Sequence, residues 1–462
     1  MKNAHPYADF TSPLTRAHQL SLDWLNSLDT RAVTPSTDVE TTLSKLGDLP
    51  EHPVDPTLTI EHLAAAVEPG LSGVGSGRWF GFVAGGSVPA ALAADWLVST
   101  WDQNAALRTV TPGVVAAEIA AGQWLLDLLD LPRDAAIGFT TGATMANFSA
   151  LAAARGNLLK RAGWDDEQGI AGGPSIRVLS GAEVHISPIE GLHYLGLPNA
   201  ERLDVDDQGR MLPSALRSAL EAQPDRPTIV LLQAGNIHSG ASDPFDELIP
   251  IAHEFGAWVH VDGAFGLWQA ASPTYRHLCA GVEDADSWAT DAHKTLNVPY
   301  DGGIVIVRDP SDLRFAMAMH AAYLIEDEVG DPHEFVPELS RRARGVPVWA
   351  ALHSLGRSGV IDLVDRLCLR ARQLAAGVDA IPGARVVNDV VFTQVCVTFG
   401  SDERTDAVVE RILGDGVAWM SGSKWRGQAV LRISVSNWQT DEDDVRRSLD
   451  AMAAAAAACE SV

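Results

Sequence analysis

The chain has 462 residues, of which 46% are hydrophobic and 20% are charged, as in an ordinary globular protein. A chain of this length exceeds one ordinary core, so we expect two or three lobes. Its 34 basic and 60 acidic residues give a net charge of -26, which disfavours nucleic acid and anionic membrane surfaces as partners.

Residues 1–75 have the pattern of an N-terminal arm, with helical segments broken by prolines such as Pro50 and Pro53. The arm is too short and too broken to bury a core of its own. Its start shows no basic-then-apolar leader pattern, and no apolar run approaches the ~20 residues that a membrane helix needs. We therefore expect a cytoplasmic protein.

Between residues 76 and 340, short β-branched runs alternate with helical stretches. The runs cover 176–179, 228–232, 258–261 and 304–307, and helical candidates between them include 213–223 and 245–255. This alternation predicts an α/β fold, with a mostly parallel sheet and helices on both faces. Ligands of such sheets bind at the carboxyl ends of the strands.

Residues 341–462 predict a small C-terminal α+β lobe. A helical stretch runs from 346 toward 377, strands follow at 384–387 and 430–434, and a last helix begins at about 440. The cysteines are scattered and lack zinc spacing, which predicts no metal and buried thiols in a reducing compartment: Cys279, Cys368, Cys396 and Cys459.

Two reactive groups fall after strands of the predicted sheet. Asp262 ends the run that begins at Trp258, and Lys294 follows the apolar stretch after Ser287. A lysine amine can form a Schiff base with pyridoxal phosphate, and a buried aspartate can keep its pyridine nitrogen protonated. The plainer alternative for Asp262 is a helix N-cap.

Four other motifs accompany this pair. Residues 139–148 (FTTGATMANF) predict a turn that opens a helix, either as an ordinary Thr/Gly helix cap or as a start where backbone N–H groups and the helix dipole can hold a phosphate. Residues 182–188 (AEVHISP) carry His185, which could equally be a capping or core residue. Residues 233–244 (QAGNIHSGASDP) are rich in turn formers, and 431–437 (LRISVSN) place Arg432 on an apolar strand.

In this order, the motifs resemble those of the group II pyridoxal-phosphate-dependent decarboxylases over about residues 60–450. The resemblance implies a fold type I architecture, similar to aspartate aminotransferase. It assigns residues 1–75 to a dimer clamp, 76–340 to the large domain that binds pyridoxal phosphate, and 341–462 to the small domain. It further implies a homodimer with shared active sites and a small L-amino acid as substrate.

The resemblance also implies roles for single residues. Lys294 forms the Schiff base, Asp262 pairs with the pyridine nitrogen, and His185 stacks on the ring and can relay a proton. The other implied cofactor contacts are Gly142, Ala143, Thr144, Asn236, Ala264 and His293. The chain departs from many relatives at Ala143, Asn236 and Thr295, where they have Gly, Thr and Trp.

Substrate contacts are implied near both ends of the chain. Arg432 is expected to clamp the substrate carboxylate, although an ion pair between lobes is the alternative. Trp79, Phe80 and Trp101 are expected to line the substrate pocket, and Trp101 could reach a neighbouring subunit's site. With 13 tryptophans in the chain, a plain core role is the alternative for Trp79 and Trp101.

Residues 325–335 correspond to a mobile loop that often carries a catalytic tyrosine in the family. No tyrosine stands there in this chain, and Pro332 takes its approximate place beside His333. Because imidazole titrates near neutrality, His333 could donate the proton instead. Relatives without this tyrosine can carry out oxidative deamination, which gives an aldehyde.

The favoured function is therefore decarboxylation of an L-amino acid through a Lys294 Schiff base and a quinonoid intermediate. Aldehyde synthase, carbon–carbon lyase and aminotransferase activities are alternatives with the same cofactor. A non-catalytic scaffold is disfavoured, because Lys294, Asp262 and His185 are all present.

Overall fold

A seven-stranded sheet and a four-stranded sheet organise the chain. The computed structural model describes residues 9–164, 169–318 and 330–460. The strands of the larger sheet are β1 (Ala136–Thr140), β2 (Arg177–Gly181), β3 (Glu201–Leu203), β4 (Thr228–Gln233), β5 (Trp258–Asp262), β6 (Ser287–Asp291) and β7 (Gly303–Val307). Those of the smaller sheet are β8 (Arg385–Val386), β9 (Gln394–Thr398), β10 (Ser421–Trp425) and β11 (Gln428–Ser434).

The helices surround these sheets. In chain order they are α1 (Thr11–Ser27), α2 (Val39–Leu46), α3 (Pro56–Val67), α4 (Pro89–Trp101), α5 (Pro112–Leu128), α6 (Ala143–Arg161), α7 (Ile186–Tyr194), α8 (Pro213–Ala222), α9 (Phe245–Glu254), α10 (Pro310–Met317), α11 (Gly345–Val378), α12 (Asp402–Asp415) and α13 (Glu442–Ala458). The helix α11 is kinked at Gly356, whose φ of 61° is outside the helical region.

The larger sheet has the strand order β1-β7-β6-β5-β4-β2-β3. Strands β3, β2, β4, β5 and β6 are parallel, and β7 is antiparallel to both β6 and β1. The prediction of a mostly parallel α/β sheet is therefore confirmed. All four predicted runs lie in strands of this sheet, whereas the edge strands β1 and β3 were not predicted.

Alternate residues of a central strand enter two different cores. In β4, Val230 and Leu232 pack in one cluster, whereas Ile229 and Leu231 pack in another that includes the buried face of α6. Because side chains of a strand alternate between faces, the sheet is covered by helices on both sides. This confirms the predicted layering.

The smaller sheet has the order β10-β11-β9-β8 and is antiparallel throughout. Its core includes residues of α11, α12 and α13, and the α+β character predicted for this lobe is confirmed. The four cysteines are buried and free, also as predicted, and burial raises the pKa of Cys279, Cys368 and Cys396 to about 12.

The N-terminal arm, α1 to α3, is tied to both lobes by the buried side chain of Arg78. Its Nη2 donates to the backbone carbonyls of Leu28, Asp29 and Arg31, and its Nη1 donates to that of Val417. None of the helices in the described ranges is long and apolar enough to cross a membrane.

Candidate active site

The carboxyl ends of the parallel strands meet at one edge of the larger sheet and enclose a small cavity. It is lined by His185, Gln233, Gly235, Ile237, Asp262, Ala264, Phe265 and Lys294. Asp262 is the last residue of β5, and Lys294 follows β6 by three residues. The structure therefore brings together four of the predicted residues: His185, Asp262, Ala264 and Lys294.

Asp262 is buried among hydrogen-bond donors. Its Oδ2 accepts from Asn147 Nδ2 at 3.3 Å and from Ser187 Oγ at 3.2 Å, while its Oδ1 accepts from the backbone N of Ala264 at 3.2 Å. No lysine or arginine in the described ranges forms an ion pair with it. These donors offset part of the cost of burying the carboxylate, and a cationic ring nitrogen in the cavity would complete the pairing.

His185 both caps a helix and faces the cavity. Its Nδ1 accepts from the backbone N of Ser187 at 3.2 Å, at the start of α7. Because Nδ1 is an acceptor, the proton of the neutral imidazole lies on Nε2. Burial lowers the pKa of His185, with Lys294 and Arg432 acting in the same direction and Asp262 opposing them. The ring is therefore neutral near pH 7.

Lys294 is held by a carboxylate that sequence reasoning did not identify. Its Nζ lies 3.0 Å from Oδ2 of Asp291, the last residue of β6. The same oxygen lies 3.5 Å from Nε2 of His293, whose Nδ1 accepts from the backbone N of Gly302. Burial lowers the pKa of His293. Asp291 therefore contacts both residues of the His-Lys pair.

The start of α6 lies beside this pair. Its N-cap, Gly142, provides no side-chain cap, and the first turn has no acidic residue, so backbone N–H groups remain available to a phosphate. A Cβ built on Gly303 would lie 2.4 Å from the Cα of Gly142, so only glycine permits this approach of β7. A Cβ on Gly142 would lie 3.4 Å from Cε1 of His293.

This arrangement fits the predicted cofactor. Ala143 and Thr144 occupy the first turn of α6, beside Gly142 and His293, where the phosphate would bind. Asp262 and Lys294 line the cavity next to it. The chain thus brings a helix start, a buried carboxylate and an amine together in one place, which are the groups that the predicted cofactor requires.

Arg432 lies on β11, nine-tenths buried, with Ser421 and Cys396 as its neighbours on the adjacent strands. Its Nε has no hydrogen-bond partner, and no acidic side chain in the described part of the chain pairs with it. Burial lowers the pKa of Arg432, and its charge in turn lowers the pKa of His185 and His238. The alternative of an ion pair between lobes is therefore not observed.

Asn236 does not line the cavity. Its Nδ2 donates to Glu183 at 2.9 Å, and its Oδ1 accepts from the backbone N of His238 and of Ser239. Its flanking residues Gly235 and Ile237 reach the cavity instead. The side chain predicted to touch the cofactor stabilises the turn that presents its neighbours.

The three aromatic residues predicted to line the substrate pocket lie elsewhere in this chain. Trp79 is buried and stacks on Trp419 with ring centroids 4.4 Å apart, and Phe80 is fully buried in the core of the small lobe. Trp101 is half exposed in a separate groove beside Trp349. Neither Trp79 nor Phe80 is among the residues that line the cavity of Lys294, and burial of aromatic surface in the cores accounts for their positions.

His333 is buried in a 3-10 helix, Pro332–Phe335, with its backbone N donating to the carbonyl of Ala106. It is not among the residues that line the cavity of Lys294. The earlier part of the predicted loop, residues 325–329, lies outside the described residues.

Several site residues escaped sequence reasoning: Asn147, Gln233, Asp291 and Ser187. Gln233 accepts from the backbone N of His185 at 2.9 Å and donates to the carbonyl of Glu183. Each of the four lies inside or next to a motif that the sequence analysis recognised. Their polar side chains in these motifs were the signal by which the sequence could have identified them. Asn147, Gln233 and Ser187, however, have partners on other elements.

Comparisons with known proteins agree with this geometry. A sequence profile described as the pyridoxal-dependent decarboxylase conserved domain matches residues 44–399. An aromatic-L-amino-acid decarboxylase from Bacillus atrophaeus is 26% identical over 450 residues, covering 93% of this chain and 92% of the relative. A 4-hydroxyphenylacetaldehyde synthase from Rhodiola rosea is 24% identical over 448 residues, covering 91% and 90%.

Solved structures share the fold. The crystal structure of Oryza sativa TDC with PLP and tryptamine superposes with a TM-score of 0.91 at 23% identity, covering 97% of each chain. That of mouse CSAD has a TM-score of 0.88 at 22% identity, covering 96% of this chain and 98% of the other. The predicted fold type is confirmed.

Proposed function

Because the chain belongs to the pyridoxal-dependent decarboxylase family, we propose that it converts an L-amino acid into the corresponding amine and carbon dioxide. Pyridoxal phosphate is its cofactor. The observation that carries the proposal is the meeting of Lys294, Asp262 and His185 around one cavity. Arg432, a buried cation without an acidic partner in the described ranges, supports a substrate that bears a carboxylate.

Each of these residues has a distinct task. When bound, the cofactor supplies an electron-withdrawing ring that accepts the electron pair left by the departing carboxylate. Lys294 would hold the cofactor covalently and exchange it with the substrate amine. The start of α6 would bind the phosphate, and Asp262 would pair with the ring nitrogen. Arg432 would orient the substrate carboxylate for cleavage.

The proton that replaces the carboxylate needs a donor in the cavity. His185 lines the cavity and has Nδ1 engaged as an acceptor, which leaves the Nε2 proton available. Lys294 lines the same cavity. We propose these two as donors ahead of His333, whose described position is in the 3-10 helix outside the cavity lining.

A second candidate function is aldehyde synthesis. Pro332 stands where a catalytic tyrosine is expected, and the Rhodiola rosea relative is named an aldehyde synthase. Such a reaction uses oxygen and releases an aldehyde instead of an amine. The same cofactor site serves both outcomes.

Product analysis separates the two functions. The cofactor-loaded protein would be incubated in air with aromatic, acidic and aliphatic L-amino acids, and the products would be identified by mass spectrometry. An amine with carbon dioxide supports decarboxylation, whereas an aldehyde one carbon shorter than the amino acid, with carbon dioxide, ammonia and hydrogen peroxide, identifies the second function. Lys294→Ala is the control that detects any product formed without the proposed active site. A wild-type protein that consumes no amino acid in the panel would count against both.

We also propose that the chain forms a homodimer through its N-terminal arm. Helix α1 buries none of its residues, and Leu14, Val39 and Leu43 on the arm are more than half exposed. A cavity of about 720 Å³ separates the arm from the large domain and reaches His293. Exposed apolar surface of this extent is typical of an interface. Light scattering after size exclusion would test this, and a monomeric mass would reject it.

A further inference from the structure

A buried chain of hydrogen bonds runs from the core to Asp262. Trp258 Nε1 lies 2.9 Å from Ser287 Oγ, which lies 2.9 Å from Nδ1 of His260. Nε2 of His260 lies 2.8 Å from Oδ1 of Asn147, whose Nδ2 lies 3.3 Å from Oδ2 of Asp262. All five residues are buried, and His260, Asn147 and Ser287 are fully so.

The positions follow from the fold. Trp258, His260 and Asp262 alternate along β5 and therefore share one face of the sheet, against which α6 packs with Asn147. Ser287 is the direct neighbour of His260 on β6. Strand periodicity and helix packing thus align five polar side chains inside an apolar core.

The direction of every proton in the chain is determined by its two ends. An indole N–H can only donate, so Ser287 Oγ accepts from Trp258. A carboxylate can only accept, so the Asn147 amide turns its Nδ2 to Asp262 and its Oδ1 to His260. The imidazole then carries its proton on Nε2, and in the neutral ring Nδ1 accepts from Ser287 Oγ. Burial lowers the pKa of His260 to about 4, which agrees with a neutral ring.

We infer that His260 is a positioning residue, which acts through Asn147 to keep a donor directed at the Asp262 carboxylate and so strengthens its binding of the pyridine nitrogen. This inference rests on the proposed function, since it concerns the group that pairs with the cofactor. Successive hydrogen bonds that point the same way polarise one another, and a donor to a carboxylate favours its ionised form. His260 itself does not line the cavity.

The groups that face His260 are few. On β5 the charged neighbour is Asp262, on β6 the contact is Ser287, and on α6 it is Asn147. The chain of hydrogen bonds therefore contains one charged group, the Asp262 carboxylate at its end. Loss of the directed donor would weaken the pairing of this carboxylate with the pyridine nitrogen, and the affinity for the cofactor would fall.

Two substitutions at His260 separate a directional role from simple packing. His260→Gln keeps an N–H at the position of Nε2, whereas His260→Leu removes it. The equilibrium affinity for pyridoxal phosphate would be measured from pH 5 to pH 8 by quenching of tryptophan fluorescence. We expect about tenfold weaker binding at pH 6 for His260→Leu and near wild-type binding for His260→Gln. Equal pH profiles for all three proteins would overturn the inference.

A matched pair of variants covers the case in which His260→Leu does not fold. Trp258→Phe removes the first donor of the chain, while Trp288→Phe removes an equally buried indole bond, to the carbonyl of Val282, from the neighbouring strand. We expect only Trp258→Phe to shift the pH profile. A shift of the same size in both variants would assign the effect to packing.

The proton position can be tested without the cofactor. In protein labelled with nitrogen-15 at histidine, nuclear magnetic resonance should find His260 neutral, with its proton on Nε2, from pH 5.5 to pH 8. A proton on Nδ1, or titration above pH 6, would overturn the inference even if the cofactor binds. A wild-type protein that binds no pyridoxal phosphate would instead overturn the proposed function. In that case the resonance measurement still decides the direction of the hydrogen bonds from Trp258 to Asp262.

Discussion

The Nζ of Lys294 lies 3.0 Å from Oδ2 of Asp291, so the reactive amine is held by a carboxylate of the preceding strand. The other oxygen of Asp291 is buried and has no hydrogen-bond partner. It lies near the start of α6, since a Cβ on Gly142 would be 3.8 Å from it. A fixed negative charge thus lies between the amine and the phosphate site.

Replacement of Asp291 should accelerate cofactor capture. The Asp291 carboxylate holds the Lys294 amine in an ion pair, and its negative charge repels an incoming phosphate. We expect Asp291→Asn to bind pyridoxal phosphate about tenfold faster at pH 7, because it removes the pairing charge and the repulsion of phosphate. Stopped-flow absorbance would measure the rate. Asp291→Glu is the matched control, and an unchanged rate in Asp291→Asn would contradict this role.

The cofactor should attach to Lys294 among the five lysines of the chain. Lys294 lies in the cavity, whereas Lys45, Lys160 and Lys424 are exposed on the surface. Reduction with borohydride followed by peptide mapping should place the phosphopyridoxyl group on Lys294, and Lys294→Ala should retain none. Labelling spread over the surface lysines would contradict the assignment.

Arg432 should govern substrate binding more than turnover. Its guanidinium is buried and lacks an acidic partner in the described ranges, whereas a lysine would keep the charge but lose the bidentate geometry. We expect Arg432→Lys to raise KM about 30-fold, or roughly 2 kcal/mol, with a smaller loss in kcat. The exposed Arg426→Lys, in the turn between β10 and β11, should leave both unchanged. An unaltered KM in Arg432→Lys would remove the clamp from the mechanism.

Stability should fall on acidification in a way that depends on His260. The pKa of His260 is about 4 in the folded chain, against 6.5 as the ordinary value. The contribution of the neutral His260 ring to the free energy of unfolding is therefore fully present above pH 6.5 and is lost as the pH falls toward 4. Between pH 7 and pH 5 we expect wild type to lose about 2 kcal/mol more free energy of unfolding than His260→Gln.

Other groups also contribute to the pH dependence in this range, among them His238 and Asp243. Burial and the charge of Arg432 lower the pKa of His238 to about 4, and burial raises the pKa of Asp243 to about 6. Both are present in wild type and in His260→Gln, so the difference between the two proteins isolates His260. Denaturant unfolding at the two pH values would measure it, and identical pH dependence would refute the prediction.

The buried Arg78 should hold the N-terminal arm in place. Arg78→Met would leave the carbonyls of Leu28, Asp29 and Arg31 without their donor, at a cost of about 3 kcal/mol. Thermal unfolding and limited proteolysis near residue 30 would report the loss. Arg447→Ala removes an exposed ion pair to Asp29 and should cost less than about 1 kcal/mol. Equal effects of the two substitutions would show that burial of Arg78 is not decisive.

The local sequence pattern was sufficient to predict several strands and the central site residues of this protein. Apolar runs and turn residues predicted the strands that end at Gly181, Gln233 and Asp262, because strand propensity and side-chain alternation are properties of neighbouring residues. Lys294, Asp262 and His185 were predicted for the same reason, since each stands in a compact motif at a strand end. The parallel arrangement then placed these ends at one edge of the sheet.

Contacts between distant segments were decided only by the tertiary structure. Asn147 and Ser187 belong to helices α6 and α7, and their approach to Asp262 depends on how both helices pack on the sheet. Trp79 and Phe80 have the composition of a pocket wall, but the small lobe buries Phe80 in its core. The sequence determined which side chains can carry the chemistry. Packing decided which of them meet, because hydrogen bonds and burial join residues that lie far apart along the chain.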